Sequence, residues 1–166
     1  MKTTVGLFGT CSNSTWRDSF IKEYKQRKID YFNPDLGDEW TPDAAENENK
    51  HLNEDTIILF PVLAESLGFG SLGEIGFSIM NVMNHILTGH NQFLVVLVDD
   101  DCDMKDASDE DIKLSKNTRK IIKSKVKDVD HPNVFLVNTL DEMKELSFRL
   151  VALAEQHAKL KKDFAA

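Results

Sequence analysis

Five short apolar runs, separated by segments with helical spacing, organise this chain. Thr4-Val5-Gly6-Leu7-Phe8-Gly9 is apolar and closed by a glycine, so it reads as a buried strand. A small, polar loop follows, and from Thr15 to Lys28 the apolar positions Trp16, Phe20, Ile21 and Tyr24 recur at helical spacing. Ile29 to Phe32 is β-branched and aromatic, and Asn33-Pro34 ends it as a second strand. Residues 43–53 are charged and predicted helical, with Thr41 or Asp43 as the cap. Thr56 to Phe60 is uninterrupted apolar sequence that Pro61 closes, the mark of a strand covered on both faces. The segment from about Ser71 to Leu87 is apolar nearly all round, which predicts a buried helix.

The second half repeats the pattern. Phe93 to Val98 is a solid apolar strand, and the acidic run Asp99 to Asp111 reads as a long surface loop. Residues 112–129 form a basic helix, Asn133 to Asn138 a last strand, and Leu140 to Lys161 a long helix striped by Met143, Leu146, Leu150 and Leu153. Strands and helices that alternate this way predict an α/β fold with a parallel sheet and helices on both faces. Right-handed crossovers make it doubly wound, and a flavodoxin-like order of 2-1-3-4-5 is expected. Ligands of such sheets bind beyond the carboxyl ends of the strands, where the order reverses. The loops Gly9 to Arg17 and Pro61 to Glu74 should therefore frame the site.

Composition narrows the class. At 166 residues the chain is expected to be a single domain, residues 1–166, able to bury about 70% of its unfolded surface without a disulfide or metal staple. Apolar residues make up 41% and charged residues 29%, which excludes a disordered or collagenous chain. The 28 acidic against 20 basic residues give a formal charge of −8, which argues against a nucleic-acid partner. Cys11 and Cys102 stand far apart with no CxxC and read as cytosolic thiols. No segment reaches membrane-helix length and the N-terminus has no signal-peptide pattern, so no membrane partner and a cytoplasmic location are expected.

Candidate chemistry is confined to the two framing loops. In Glu65-Ser66-Leu67-Gly68-Phe69-Gly70-Ser71-Leu72-Gly73-Glu74, the glycines permit close backbone approach to a ligand. Glu74 is either the partner of Ser71 in a capping box or a catalytic carboxylate at the mouth of the sheet, where a helix N-terminus favours its ionised form. Gly9-Thr10-Cys11-Ser12-Asn13-Ser14-Thr15-Trp16-Arg17 is rich in small donors suited to an anion or a sugar hydroxyl, yet it is neither a Walker loop nor a GxGxxG fingerprint. Asp99, Asp101, Asp103 and Glu110 have calcium-loop offsets, but Met104 stands where the turn glycine belongs. The lysines of residues 113–127 read as a solvated face, and the five histidines show no paired ligand spacing. No metal site is expected.

Taken in order, these elements resemble the nucleoside 2-deoxyribosyltransferase family, in its divergent branch. The resemblance is carried by the glycine-closed first strand with Gly9-Thr10-Cys11-Ser12 and by Trp16-Arg17 opening the first helix. Asn33-Pro34 and Trp40 follow, then Asp55-Thr56-Ile57-Ile58, and last Ser71-Leu72-Gly73-Glu74-Ile75-Gly76. It covers about residues 3–98. The Glu-hydrophobic-Gly step is the most telling, because the family's nucleophile lies there. The resemblance implies that Glu74 attacks the anomeric carbon of a 2-deoxynucleoside and forms a covalent sugar intermediate, as in a retaining glycosidase. It also implies an acid on the short helix before the third strand, a place Glu48 fits, with Asn47 or Glu46 fitting under a one-residue shift.

Under the same resemblance Gly9, Thr10, Cys11, Ser12, Arg17, Asn33, Ser66, Gly70 and Ser71 would shape the substrate pocket. Trp16 or Trp40 would either stack on the base or pack structurally. The family's first-strand tyrosine is absent, since that strand reads Val5-Gly6-Leu7-Phe8, and the acid shortly before the nucleophile is replaced by Gly68 and Phe69, with Glu65 or Ser66 as substitutes. The expected partner is a small nucleoside or nucleotide, the expected assembly a homo-oligomer, and no metal or organic cofactor is required. Three other readings fit the fold: a deoxynucleoside 5′-monophosphate N-hydrolase, a non-catalytic nucleotide-sensing module, and a flavin-dependent electron carrier.

Overall fold

The computed structural model describes residues 3–11, 14–35, 41–88 and 91–164. Five strands, β1 (Thr4–Leu7), β2 (Asp30–Phe32), β3 (Ile57–Val62), β4 (Phe93–Val98) and β5 (Val134–Val137), form one sheet in the order β2-β1-β3-β4-β5. Every neighbouring pair is parallel, with Val5 opposite both Tyr31 and Ile57, Ile58 opposite Leu94, and Val95 opposite Phe135. The helices α1 (Trp16–Arg27), α2 (Pro42–Glu54), α3 (Phe69–Thr88), α4 (Asp109–Lys127) and α5 (Leu140–Phe164) alternate with them. This is the doubly wound, flavodoxin-like α/β fold that the apolar runs predict. No helix of the described residues is long and apolar enough to cross a membrane.

The period-two alternation of the strands divides the core into two layers. Val5, Leu7, Ile57, Leu59, Val95 and Leu97 face one way and pack on Trp16, Phe20 and Tyr24 of α1 and on Met143, Leu150 and Val151 of α5. Ile58, Phe60, Val62, Leu94, Val96 and Val98 face the other way, against Leu72, Ile75 and Val82 of α3 and Val126 of α4, with Leu52 of α2 at the margin. Strands β3 and β4 are buried along their whole length. That explains why they read as solid apolar runs rather than alternating ones.

The boundaries show local chemistry at work. Thr41 caps α2 by accepting from the Ala44 N–H, and Pro42 occupies the first helical position, where its missing N–H is harmless. Several boundaries differ from the expectation, three of them instructively. Pro61 lies inside β3 rather than ending it, because β1 has already stopped at Leu7 and the proline nitrogen faces the Gly9 turn instead of a ladder acceptor. The acidic loop ends at Ser108, since Asp109, Glu110 and Asp111 form the first turn of α4. There they complement the helix dipole, and the Ser108 hydroxyl accepts from the Asp111 N–H. Helix α3 begins at Phe69, two residues early.

Candidate active site

The two framing loops meet over the carboxyl ends of β1 and β3, at the reversal of strand order. Thr10 joins them. Its N–H donates to the Pro61 carbonyl at 2.8 Å, and its hydroxyl oxygen accepts from the Leu63 N–H at 2.9 Å and lies 3.4 Å from Ser66 Oγ. Gly9 makes this approach possible. Its φ is +87°, and a Cβ there would stand 2.3 Å from the Pro61 carbonyl oxygen.

Arg17 holds the first loop from below. It is 3% exposed, and its guanidinium donates to the carbonyls of Leu7 at 2.9 Å, Thr10 at 2.7 Å and Gly9 at 3.5 Å. The same group lies 3.5 Å from Asp35 Oδ2 and 3.3 Å from Cys11 Sγ. Trp16 is packed in the core beside it, with its indole N–H donating to the Thr10 carbonyl and its ring edge-on to Phe20. Of the two roles open to Trp16, the one it occupies is packing. Asn33 folds over its own turn, its amide oxygen accepting from the Asp35 N–H. Cys11 is exposed at the surface, yet the atoms around its sulfur take away enough solvent to outweigh the opposing Arg17 charge, so its pKa is raised. Ser12 and Trp40 lie outside the described residues.

Glu74 and Glu48 come from neighbouring helices. Helices α2 and α3 are joined where the Asn81 amide donates to the Asn53 side-chain oxygen at 2.9 Å. Glu74 shares a stripe of α3 with Ser78 and Asn81, one and two turns further on, so that stripe faces α2. Along their own helix axes, Glu48 and Glu74 lie about 7 and 10 Å before Asn53 and Asn81, toward the two helix N-termini. Glu48 belongs to the half-buried stripe of α2 that includes Ala44, Ala45, His51 and Leu52.

Their charges interact. Loss of solvent raises the Glu74 pKa, and the Glu48 charge raises it further. Loss of solvent also raises Glu48, against the opposing pull of the Arg17 guanidinium. Both carboxyls are therefore harder to ionise than isolated glutamates. The capping-box role for Glu74 does not fit this helix. Ser71 is already helical, and Glu74 falls in the second turn. Gly70 and Ser71 form the first turn of α3, with open space around Gly70.

Two further buried groups carry no sequence motif. Asp55, 4% exposed, accepts from His51 Nδ1 at 3.0 Å, and the His51 ring stacks on Phe32 at 3.8 Å. Burial pushes the Asp55 pKa up, with the His51 hydrogen bond pulling it back. The folded state therefore binds this proton more tightly than the unfolded chain. The resulting stabilisation is complete below the unfolded pKa and is lost as pH rises through the folded one. Asp55→Asn keeps an acceptor for His51 and removes the titration. Thermal unfolding between about pH 4 and pH 7 should then show the variant gaining on wild type as pH rises. Parallel curves would contradict this role. Arg119, the second group, is fully buried behind the other loop.

Among the described residues no group of three or more His, Cys, Asp or Glu side chains is placed to hold a metal ion. Two grooves, of about 450 and 630 Å³, lie along the C-terminal half of α5 at the opposite end of the sheet. Phe93, Asn133, Leu153, His157 and Leu160 are among their walls, and no acidic residue lines either.

No family model matches the chain, and no curated protein matches it. Among solved structures it is similar to a conserved protein from Enterococcus faecalis V583. The two are 12% identical, with 87% of this chain and 96% of that chain covered, at a TM-score of 0.46. A likeness at that level carries no functional argument.

Proposed function

We propose that this chain is a cytoplasmic nucleoside 2-deoxyribosyltransferase-like enzyme that breaks the N-glycosidic bond of a 2-deoxynucleoside. The observation that carries the reading is that α2 and α3, joined by the Asn53–Asn81 bond, place Glu48 and Glu74 close enough for the Glu48 charge to act on Glu74, in a sheet whose strand order reverses beside them. In the reactive state Glu74 is ionised and Glu48 holds a proton. Glu74, in the second turn of α3, lies beyond the reach of the helix N-terminus, and Arg17 favours a charge on Glu48, so the reactive arrangement is one that bound substrate must favour. A Glu74 oxygen bonds to the anomeric carbon. The electron pair of the glycosidic bond leaves with the base nitrogen, which takes the proton from Glu48. Water or an acceptor base then gives its proton to Glu48 and bonds to the same carbon, and the Glu74 carboxylate departs.

The nucleoside is favoured over the nucleotide as substrate because Arg17, the single cation of the first loop, directs its donors to backbone carbonyls. A homo-oligomer is supported by α3, which exposes Phe77, Met80 and Met83 along one face. The experiment is incubation with purine and pyrimidine 2-deoxynucleosides and their 5′-monophosphates, with and without a second free base, followed by separation of products. Base release from the nucleosides, and a new nucleoside when acceptor is present, is the expected result. Release from the monophosphates alone would favour the N-hydrolase. Ligand binding by calorimetry without any release would overturn the enzyme reading in favour of a sensing module, and a bound flavin would point to an electron carrier.

A further inference from the structure

Each loop that frames the site hangs on one buried arginine. Arg17 grips the turn after β1. The turn after β3 has a counterpart, Arg119, which comes from the middle of the otherwise basic helix α4 and is 0% exposed. Among the described residues no carboxylate lies within ion-pairing distance of it. Its donors go to backbone instead. Nη1 donates to the carbonyls of Val62 at 3.0 Å and Asp99 at 3.3 Å, and Nη2 to those of Leu63 at 2.9 Å and Ser66. Nε donates to Ser115 Oγ at 3.0 Å, and that hydroxyl donates to the Leu67 carbonyl at 2.8 Å. One guanidinium and one hydroxyl, a turn apart on α4, therefore hold four carbonyls of the six-residue stretch from Val62 to Leu67.

Burying an unpaired cation is expensive for a fold, and an apolar side chain would fill the same space at lower cost. What only a guanidinium supplies is five donors in a rigid plane. Each peptide is planar, so a carbonyl aimed at α4 sends the next N–H the opposite way. The grip sets the direction of successive peptides in the turn. Gly68 follows at φ +68°, where a Cβ would stand 2.5 Å from Val62 Cγ1 and 3.4 Å from Arg119 Nη2. Helix α3 starts at the next residue, with Glu74 in its second turn. The acidic loop is drawn into the same knot, because the Asp99 carboxylate accepts from the Ala64 N–H at 2.8 Å and the Asp103 N–H donates to the Ala64 carbonyl at 2.7 Å.

We infer that Arg119 is a positioning residue. By fixing the β3–α3 turn it sets where α3 begins, and so where Glu74 stands relative to Glu48. The inference rests on the reading of Glu74 and Glu48 as the reacting pair. It is tested with Arg119→Lys and with the milder Ser115→Ala, each measured at temperatures where circular dichroism shows the variant folded. Arg119→Lys should lose about 10²-fold in kcat with KM little changed, the signature of a reacting group held out of place. Ser115→Ala should lose less in the same manner. The limbs of the pH–rate profile should also move, because the coupling of the two carboxyls depends on their separation.

Hydrogen exchange supplies a readout that needs no turnover. Amides of residues 64–73 should exchange at least about tenfold faster in both variants, with β1 and β4 unchanged. A lowered Tm with kcat, pH profile and local exchange all at wild-type values would overturn the inference and leave Arg119 a structural residue. Should Arg119→Lys fail to fold, Ser115→Ala decides between the two roles on the same measurements. If wild type itself releases no base, the enzyme reading fails, and the exchange measurement alone decides whether Arg119 positions the turn.

Discussion

Glu74→Gln is expected to lower base release by about 10³-fold or more while the protein stays folded. The amide keeps the size of the side chain and removes the anionic oxygen that attacks carbon. Glu74 is an exposed residue of α3, outside the buried face of Leu72, Ile75, Ser78 and Val82, so the fold has little to lose. Glu48→Gln separates the two roles. With an ordinary base it should cost about 10²–10⁴-fold, the usual worth of a general acid. With an N7-methylated purine deoxynucleoside the base leaves neutral and needs no proton, so most of that loss should vanish. Glu74→Gln should be inactive on both substrates. If the methylated substrate instead rescues Glu74→Gln and not Glu48→Gln, the two carboxyls have exchanged roles. The wild-type profile should be bell-shaped, with its acid limb above the usual glutamate range, because both carboxyls are raised and one must be ionised.

The largest effect on stability is expected from Gly9→Ala. The position has φ +87°, and the new Cβ would meet the Pro61 carbonyl oxygen at 2.3 Å and the Pro61 nitrogen at 2.9 Å. Both atoms belong to the central strand, which is buried on both faces and cannot move aside. Strain and clash together should remove about 2–4 kcal/mol, a fall in Tm of roughly 5–15 °C. The Thr10 bonds to Pro61 and Leu63 should loosen with it, so residual activity should fall as well. Gly76→Ala makes the contrast. A Cβ there meets nothing within 4 Å, and alanine in a helix interior is favoured over glycine by about 0.5–1 kcal/mol. Chemical denaturation of the two variants should move in opposite directions. A Gly9→Ala protein as stable as wild type would mean that the turn can take a different path.

The parts of this fold that were legible in the sequence are those where one physical requirement dominates. Residues of β3 and β4 are buried on both faces, so their sequences could only be apolar, and the alternation of such runs with helical spacing leads to a parallel sheet. Boundaries decided by what lies beside them were not legible. Pro61 stops a strand in isolation, and only the early end of β1 shows why it does not here. The first turn of α4 is acidic, which by composition looks like loop and by position suits a helix N-terminus.

The candidate site divides in the same way. Glu74 and the two loops are local patterns and could be read. The inward stripe Ile112, Ser115, Arg119, Ile122 and Val126 of α4 carries its arginine at core spacing, and that was the signal for Arg119. The surrounding lysines masked it. The Asp55–His51 pair is an i, i+4 contact like many exposed ones, and nothing in its spacing reveals that Asp55, the C-cap of α2, is 4% exposed.

The most direct test of the central claim is a search for the covalent sugar. Wild-type protein is mixed with a 2-deoxynucleoside and no acceptor, quenched in acid within the first turnover, digested and examined by mass spectrometry. A deoxyribosyl adduct on the peptide containing Glu74, absent from Glu74→Gln, is the predicted result. An adduct on another residue, or base release by Glu74→Gln at the wild-type rate, would contradict the assignment of Glu74 as the nucleophile.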